Sequence, residues 1–326
     1  MMKYNYVIFA TDDEYYKVAY NDLNKLNNVK YVWRELDTDN RIITLFYKMH
    51  TSPKTNKIFS LPFKKLWNPC MFRNTFSDDK PICFIFFPGR RKEYNNGLVE
   101  YLRNRYPDSK FVLYYQDLIK KSKMPEINLF KKQFDLILSF DHEDAFRNNL
   151  EYYPLVYSAV EVPDGNIEKS DVYFVGKAKD RLKDIQNVYD KLRNNGLKCD
   201  FHVTGVAEKE IRQDGIIYNT PVSYLENIQR IKATKCMVEL MQKGGHGFTL
   251  RYCEAIMYNK KIITNNCEVK KAAFFSEDRI QAISNLSEID TKFVLKEPIT
   301  VDYNYKKKLS PILLLNYIED FFQKNI

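Results

Sequence analysis

Val238–Asn265 reads VELMQKGGHGFTLRYCEAIMYNKKIITN. It parses as the end of a short apolar strand (Cys236 to Leu240), a glycine-rich loop, a helix and a second strand (Lys261 to Thr264). Gly244, Gly245 and Gly247 would let the backbone approach a ligand closely and take up positive φ. Thr249 suits an N-cap, and Leu250, Cys253, Ile256 and Met257 then share one helical face. Arg251, Glu254 and Tyr258 fall on the opposite face. Asn259 followed by Lys260 and Lys261 makes a stop, with cations at the negative end of the helix.

Arg251 would sit in the first helical turn, where the dipole disfavours a cation by roughly 0.3–1 kcal/mol. A cation there makes sense if an anion is held between it and the N–H groups of the loop. Glu254 lies a turn further on, where a carboxylate could accept from a vicinal diol such as ribose. A diphosphate-ribose unit fits the pair. An ordinary strand-to-helix turn with Arg251 and Glu254 as a solvated pair fits the spacing equally well.

The segment GGHGFTLRYCEAI with NKKIITNN resembles the donor site of GT-B glycosyltransferases, particularly those that build lipopolysaccharide and capsular polysaccharide. In many of that family two glutamates flank this loop, the later one binding the ribose of the nucleotide sugar. Glu254 matches the later glutamate, and His246 stands where the earlier one would be. The resemblance implies that Gly244, Gly245, Gly247, Phe248 and Thr249 line the donor diphosphate, and that Arg251 stabilises the leaving phosphate. It places His246 near the sugar or the β-phosphate. Glu254→Ala would then weaken nucleotide binding with folding retained.

With 326 residues, 44% hydrophobic and 15% aromatic, the chain is long enough for two cored domains. It has no apolar run long enough to span a membrane, and its start meets acidic residues too soon for a secretory signal. A cytoplasmic protein is expected, peripheral on the cytoplasmic membrane face if it touches a bilayer. The six cysteines lack metal spacing, which favours free thiols, and the four histidines suggest no metal site. The net charge of +9 suits phosphate-bearing substrates or an anionic membrane surface, and no nucleic-acid motif accompanies it.

Upstream, Tyr6 to Ala10 reads as a buried strand, with Asp12 and Asp13 at its end. These either cap a helix from about Glu14 to Leu26 or, as the resemblance implies, supply the catalytic base. Asp37 and Asp39 form a D-x-D that suits a turn better than a metal site. Residues 54–76 interleave Phe63, Leu66, Trp67, Met71 and Phe72 with Lys64, Lys65 and Arg73, which suits an anionic bilayer, a core or an acceptor cleft. After the strand Ile82 to Phe87, the cations Arg90, Arg91 and Lys92 face a phosphate or only solvent. Lys120, Lys121, Lys123, Lys131 and Lys132 form a positive flank. Strands alternating with helices indicate a parallel sheet.

Val160 to Lys169 reads as a linker. The pattern restarts at Asp171 to Val175, followed by Gly176, Lys177, Lys179 and Arg181, which the resemblance places near the donor diphosphate. A helix with Pro221 at its first position follows, and an amphipathic helix from Leu309 closes the chain. The expected fold is α/β: two Rossmann-like doubly wound domains facing across a cleft (GT-B). Residues 1–160 would bind the acceptor and 161–308 the nucleotide sugar, with 309–326 a C-terminal helix returning to the N-domain. The expected function is metal-independent transfer of a sugar from a nucleotide-diphosphate sugar, with UDP the commonest in the family. The acceptor would be a glycan or lipid-linked hydroxyl in surface polysaccharide biosynthesis, and no cofactor is needed. The alternative is a non-catalytic sugar-nucleotide or polyanion-binding protein of degenerate GT-B fold.

Overall fold

The computed structural model describes residues 2–58, 62–90, 96–119, 124–297 and 305–324. Arg91, Lys92, Lys120, Lys121 and Lys123 therefore lie outside the described residues. The chain packs as two compact units. One comprises Met1–Lys17, Asp22–Tyr153 and Leu314–Ile326; the other comprises Val18–Asn21 and Pro154–Leu313.

The first unit holds β1 (Asn5–Phe9), β2 (Val29–Val32), β3 (Ile82–Phe86), β4 (Lys110–Tyr115), β5 (Leu136–Ser139) and β6 (Glu151–Tyr152). All pair in parallel, in the order β2-β1-β3-β4-β5-β6. β1 beyond Asn5 and all of β3 are continuous apolar runs because both of their faces are covered. Phe9 stacks on Phe86 at 4.5 Å and Phe84 on Phe111 at 5.2 Å, which ties neighbouring strands through their side chains. The closing helix, Pro311–Lys324, contributes Glu319 to this unit. Its carboxylate accepts from Lys3 N at 2.8 Å and from the Tyr6 hydroxyl at 3.0 Å, at the start of β1.

The helix expected from Glu14 to Leu26 is broken. An α-helix spans Glu14–Ala19 and a 3₁₀ turn spans Asn21–Lys25. The Ala19 carbonyl, which a continuing helix would use, accepts instead from the N–H and hydroxyl of Ser158, both at 2.9 Å. Ser158 and its neighbour Tyr157, which donates to the Leu309 carbonyl, pack within the second unit. The division between units thus falls at Tyr153/Pro154, ahead of residues 160–169.

The second unit holds β7 (Ser170–Lys177), β8 (Cys199–Thr204), β9 (Ile217–Tyr218), β10 (Thr234–Glu239), β11 (Lys261–Thr264) and β12 (Ile280–Ala282). The order is β12-β11-β10-β7-β8-β9, again all parallel. Strand order reverses between β7 and β10, the arrangement of a dinucleotide-type sheet. Helix Leu182–Asn194 buries Ile185, Val188, Tyr189 and Leu192 at helical spacing against this sheet. The helix expected to begin at Pro221 begins at Tyr224. Ser223 is the stronger cap, its hydroxyl accepting from Glu226 N at 3.1 Å.

All six cysteines are free. No helix among the described residues is long and apolar enough to cross a membrane.

Candidate functional site

Where strand order reverses, the loops leaving the C-terminal ends of two adjacent strands part and leave a crevice. In the second unit those loops follow β7 and β10. They are tied together from both sides. Lys243 N donates to Asp180 Oδ2 at 3.3 Å, and the Arg181 guanidinium donates to the Leu240 carbonyl. The β10 loop is also pinned from behind. Met241 N donates to Asn265 Oδ1 at 2.7 Å, and the Gly247 carbonyl accepts from Asn266 Nδ2 at 3.2 Å. Gly244 takes φ 80°, a conformation that favours glycine. Gly245 and Gly247 do not share it, contrary to expectation; Gly245 N closes a tight turn on the Gln242 carbonyl at 3.2 Å instead.

Thr249 is the N-cap of helix Leu250–Met257, its hydroxyl accepting from Arg251 N at 3.2 Å. That helix has no solvated face of the expected kind. Tyr252 through Met257 are all buried, and Glu254 is 0% exposed. Its carboxylate Oε1 accepts from the Tyr224 hydroxyl and Asn227 Nδ2, both at 3.0 Å, and Oε2 accepts from Arg251 at 2.8 Å. Arg251 sends its other arm to the Val175 carbonyl at the end of β7, at 2.8 Å. The solvated pair that the spacing also allowed is instead an internal clamp that joins helix Leu250–Met257 to β7 and to helix Tyr224–Ala233. Burial opposes the charge on Arg251, but the Glu254 carboxylate holds its pKa above the ordinary guanidinium value. Arg181 shifts the other way. Burial lowers its pKa first, and the positive charge of Arg251 lowers it further. With Arg181 on the Leu240 carbonyl and Arg251 on the Val175 carbonyl, two guanidinium groups stand at the strand ends of the switch point.

Glu239, at the end of β10, is a site residue that the sequence reading passes over. It is 3% exposed and accepts from the Thr249 hydroxyl and, at 2.7 Å, from the Thr264 hydroxyl. The cap of the helix is thereby fastened to two strands. Burial pushes the Glu239 carboxyl above its ordinary range, against hydrogen bonds from Thr249, Tyr252 and Thr264 and the charge of Arg251, which act to lower it. A carboxyl raised in this way binds more protons folded than unfolded. Its contribution to stability is therefore full below the unfolded pKa of about 4.3 and declines as pH rises through the raised folded value. Glu239→Gln is expected to flatten that decline, read as the slope of melting temperature against pH above about pH 4.

Lys177, Lys179 and Lys243 are exposed around the two loops, Lys179 with φ 47°. Gly176 and His246 are half-buried there. Phe248 packs edge-on to Tyr252 at 5.8 Å and to Phe274 at 5.1 Å, so its ring anchors the loop from below.

Asp12 and Asp13 belong to the first unit. Asp12 pairs with Lys17 at 2.7 Å in the open; Asp13 accepts from Tyr16 N at 3.1 Å as a helix cap and from the Thr11 hydroxyl at 2.6 Å. Arg90 is a correction. It is 2% exposed and donates to the carbonyls of Ala10, Trp33 and Arg34, so it braces the loops after β1 and β2 instead of facing a ligand. Asp39 pairs with Arg34 at 2.6 Å on the surface, and no metal-ligating cluster occurs among the described residues.

No family model matches the sequence, and no curated protein matches it. Solved structures do. An α,α-trehalose-phosphate synthase (UDP-forming) from Burkholderia vietnamiensis aligns over 98% of this chain and 98% of that one, with TM-score 0.51 at 9% identity. TarM aligns over 75% of this chain and 51% of that chain, with TM-score 0.44 at 10% identity. Accessory secretory protein 1,2 and 3 in Streptococcus pneumoniae aligns over 77% and 54%, with TM-score 0.47 at 12% identity. The chain thus spans about half the length of these last two. What the alignment to the synthase establishes, at this identity, is the fold: two Rossmann-like parallel-sheet units of the GT-B type.

Proposed function

We propose that the chain is a glycosyltransferase that uses a nucleotide-diphosphate sugar, with UDP as the nucleotide. The observation that carries this reading is the placement of Arg181 on the Leu240 carbonyl past β10, Arg251 on the Val175 carbonyl of β7, and a capped helix start, all at the β7/β10 switch point. Diphosphates bind at such points, where N–H groups and helix dipoles converge. The GT-B fold supports it, and the Burkholderia vietnamiensis synthase that shares this fold is UDP-forming.

In the reaction the bond from the anomeric carbon to the diphosphate oxygen breaks, and an acceptor hydroxyl oxygen bonds to that carbon. The hydroxyl proton passes to a base, and the electron pair of the broken bond stays on the nucleoside diphosphate. Stabilising that developing charge is the main task of the site. A guanidinium carries five N–H donors. Arg251 gives one N–H to Glu254 and one to the Val175 carbonyl and keeps others for a phosphate oxygen. Lys177, Lys179 and the loop from Gly244 to Thr249 surround the same charge, and His246 meets the sugar or β-phosphate. Cationic side chains are proposed to carry this charge in place of a metal. Glu254 is sealed from solvent, so we assign it first to holding Arg251; a ribose contact would require Tyr224 or Asn227 to move aside. Asp12, whose carboxylate is not spent on capping, is the proposed base. The acceptor is a glycan or lipid-linked hydroxyl of surface polysaccharide, met on the cytoplasmic side of the membrane.

Incubation with UDP-sugars tests the reading. Slow release of UDP is expected. Binding without any release would favour the non-catalytic sugar-nucleotide binder, for which His246 in place of a glutamate speaks; no binding at all would end both readings.

A further inference from the structure

Helix Arg41–Thr51 in the first unit is amphipathic in the wrong sense for a core. Its buried residue is Tyr47 at 0% exposure, while Ile42, Leu45, Phe46 and Met49 are 66%, 59%, 59% and 56% exposed. These four occupy positions i, i+3, i+4 and i+7, one continuous stripe. Asn40 caps the helix through Ile42 N and Ile43 N, so the stripe is held in a formed helix.

A second apolar pair belongs to the same layer. Phe63 and Leu66, at 74% and 73% exposure, begin and ride the 3₁₀ helix Lys64–Cys70. That turn is fastened to helix Arg41–Thr51. His50 Nε2 bonds the Pro62 carbonyl at 2.7 Å, Trp67 Nε1 donates to His50 Nδ1 at 2.8 Å, and the Trp67 ring meets Tyr47 edge-on at 5.5 Å. Trp67, Met71 and Phe72 of the aromatic-basic stretch turn inward, whereas Phe63 and Leu66 turn outward. Large apolar side chains gathered in this way mark an interaction surface.

The charge around the patch identifies what covers it. Residues 40–77 contain seven Lys and Arg (Arg41, Lys48, Lys54, Lys57, Lys64, Lys65, Arg73) and no Asp or Glu, in a chain whose net charge is +9. Arg41, Lys48, Lys54 and Lys57 are exposed and have no ion-pair partner among the described residues. Lys65 is paired with Glu100 at 2.8 Å, so the uncompensated charge beside the patch rests on Arg41, Lys48, Lys54 and Lys57, which match a surface of phosphates.

We infer that the stripe Ile42, Leu45, Phe46 and Met49, with Phe63 and Leu66, docks on an anionic lipid bilayer, the apolar side chains entering the headgroup–acyl boundary and the lysines meeting lipid phosphate. The helix lies in the interface and does not cross it. This surface deepens the reading of a lipid-linked acceptor and rests on that reading for its biological meaning. Its geometry stands apart.

The test is flotation of the full chain with vesicles of phosphatidylcholine alone and of phosphatidylcholine mixed with phosphatidylglycerol. Binding to the mixed vesicles is expected, weakening as salt is raised. Leu45→Asp with Phe46→Asp should lower the partition coefficient at least tenfold, while Lys48→Gln and Lys54→Gln should lower it about fivefold each, from about 1 kcal/mol per cation. All four residues are exposed, so melting temperatures should stay near wild type, and UDP binding measured on the same samples reports the nucleotide site independently. Equal flotation by wild type and the Leu45/Phe46 variant would overturn the inference. So would a wild-type dimer in solution that this variant makes monomeric. Failure of UDP binding with flotation intact would count against the proposed function alone.

Discussion

Glu254→Ala is expected to lower the stability of the second unit by about 3 kcal/mol. Removing one member of a buried ion pair leaves the other charge uncompensated, at a cost of about 3–5 kcal/mol. Here the lower end applies, because the Arg251 side chain is 23% exposed and water can screen it. The Tyr224 hydroxyl and Asn227 amide lose their acceptor in the same step. At about 2–4 °C per kcal/mol for a domain of this size, the melting temperature should fall by about 6–12 °C, measured by circular dichroism. Glu254→Gln keeps an acceptor for Tyr224 and Asn227 and should lose less. A melting temperature within about 2 °C of wild type for the alanine variant would mean that the clamp contributes little.

Arg251→Lys should cost about 100-fold in turnover, the scale seen when one donor to a developing oxyanion is removed. Lysine keeps the charge and loses the planar fork. A single ammonium cannot bridge Glu254 and the Val175 carbonyl and still present N–H groups to a phosphate. Turnover should fall more than UDP affinity, because the lost bond matters most when charge has moved onto the leaving group. Turnover within about twofold of wild type would confine Arg251 to a structural role.

The sheets were legible because parallel strands covered on both faces are apolar runs. Residues such as Tyr6 to Ala10, Ile82 to Phe87 and Lys261 to Thr264 leave little alternative. The Thr249 cap and the Asn259 stop were legible for a similar reason, since both are local chemistry; Asn259 takes φ 53° at the helix end. Features decided at long range were not legible. The break after Ala19 depends on Ser158, which the sequence does not mark. Glu254 read as a ribose acceptor or a solvated partner of Arg251, because its partners Tyr224 and Asn227 lie on another helix. Glu239 is one glutamate at a strand end, and only the fold brings Thr249 and Thr264 to it. Arg90 looked like one of three cations in a turn until the carbonyls of three other residues were seen to occupy it. Periodicity shows that helix Arg41–Thr51 has an apolar stripe, but not which way the stripe faces. The usual inward assumption fails there because Tyr47 takes the core side.

The most direct test of the central claim is the structure of the chain crystallised with UDP. The account places the diphosphate between the Gly244–Thr249 loop and the end of β7, with a phosphate oxygen bonded to Arg251. UDP bound elsewhere, or bound with Arg251 still turned wholly to Glu254 and Val175, would contradict it.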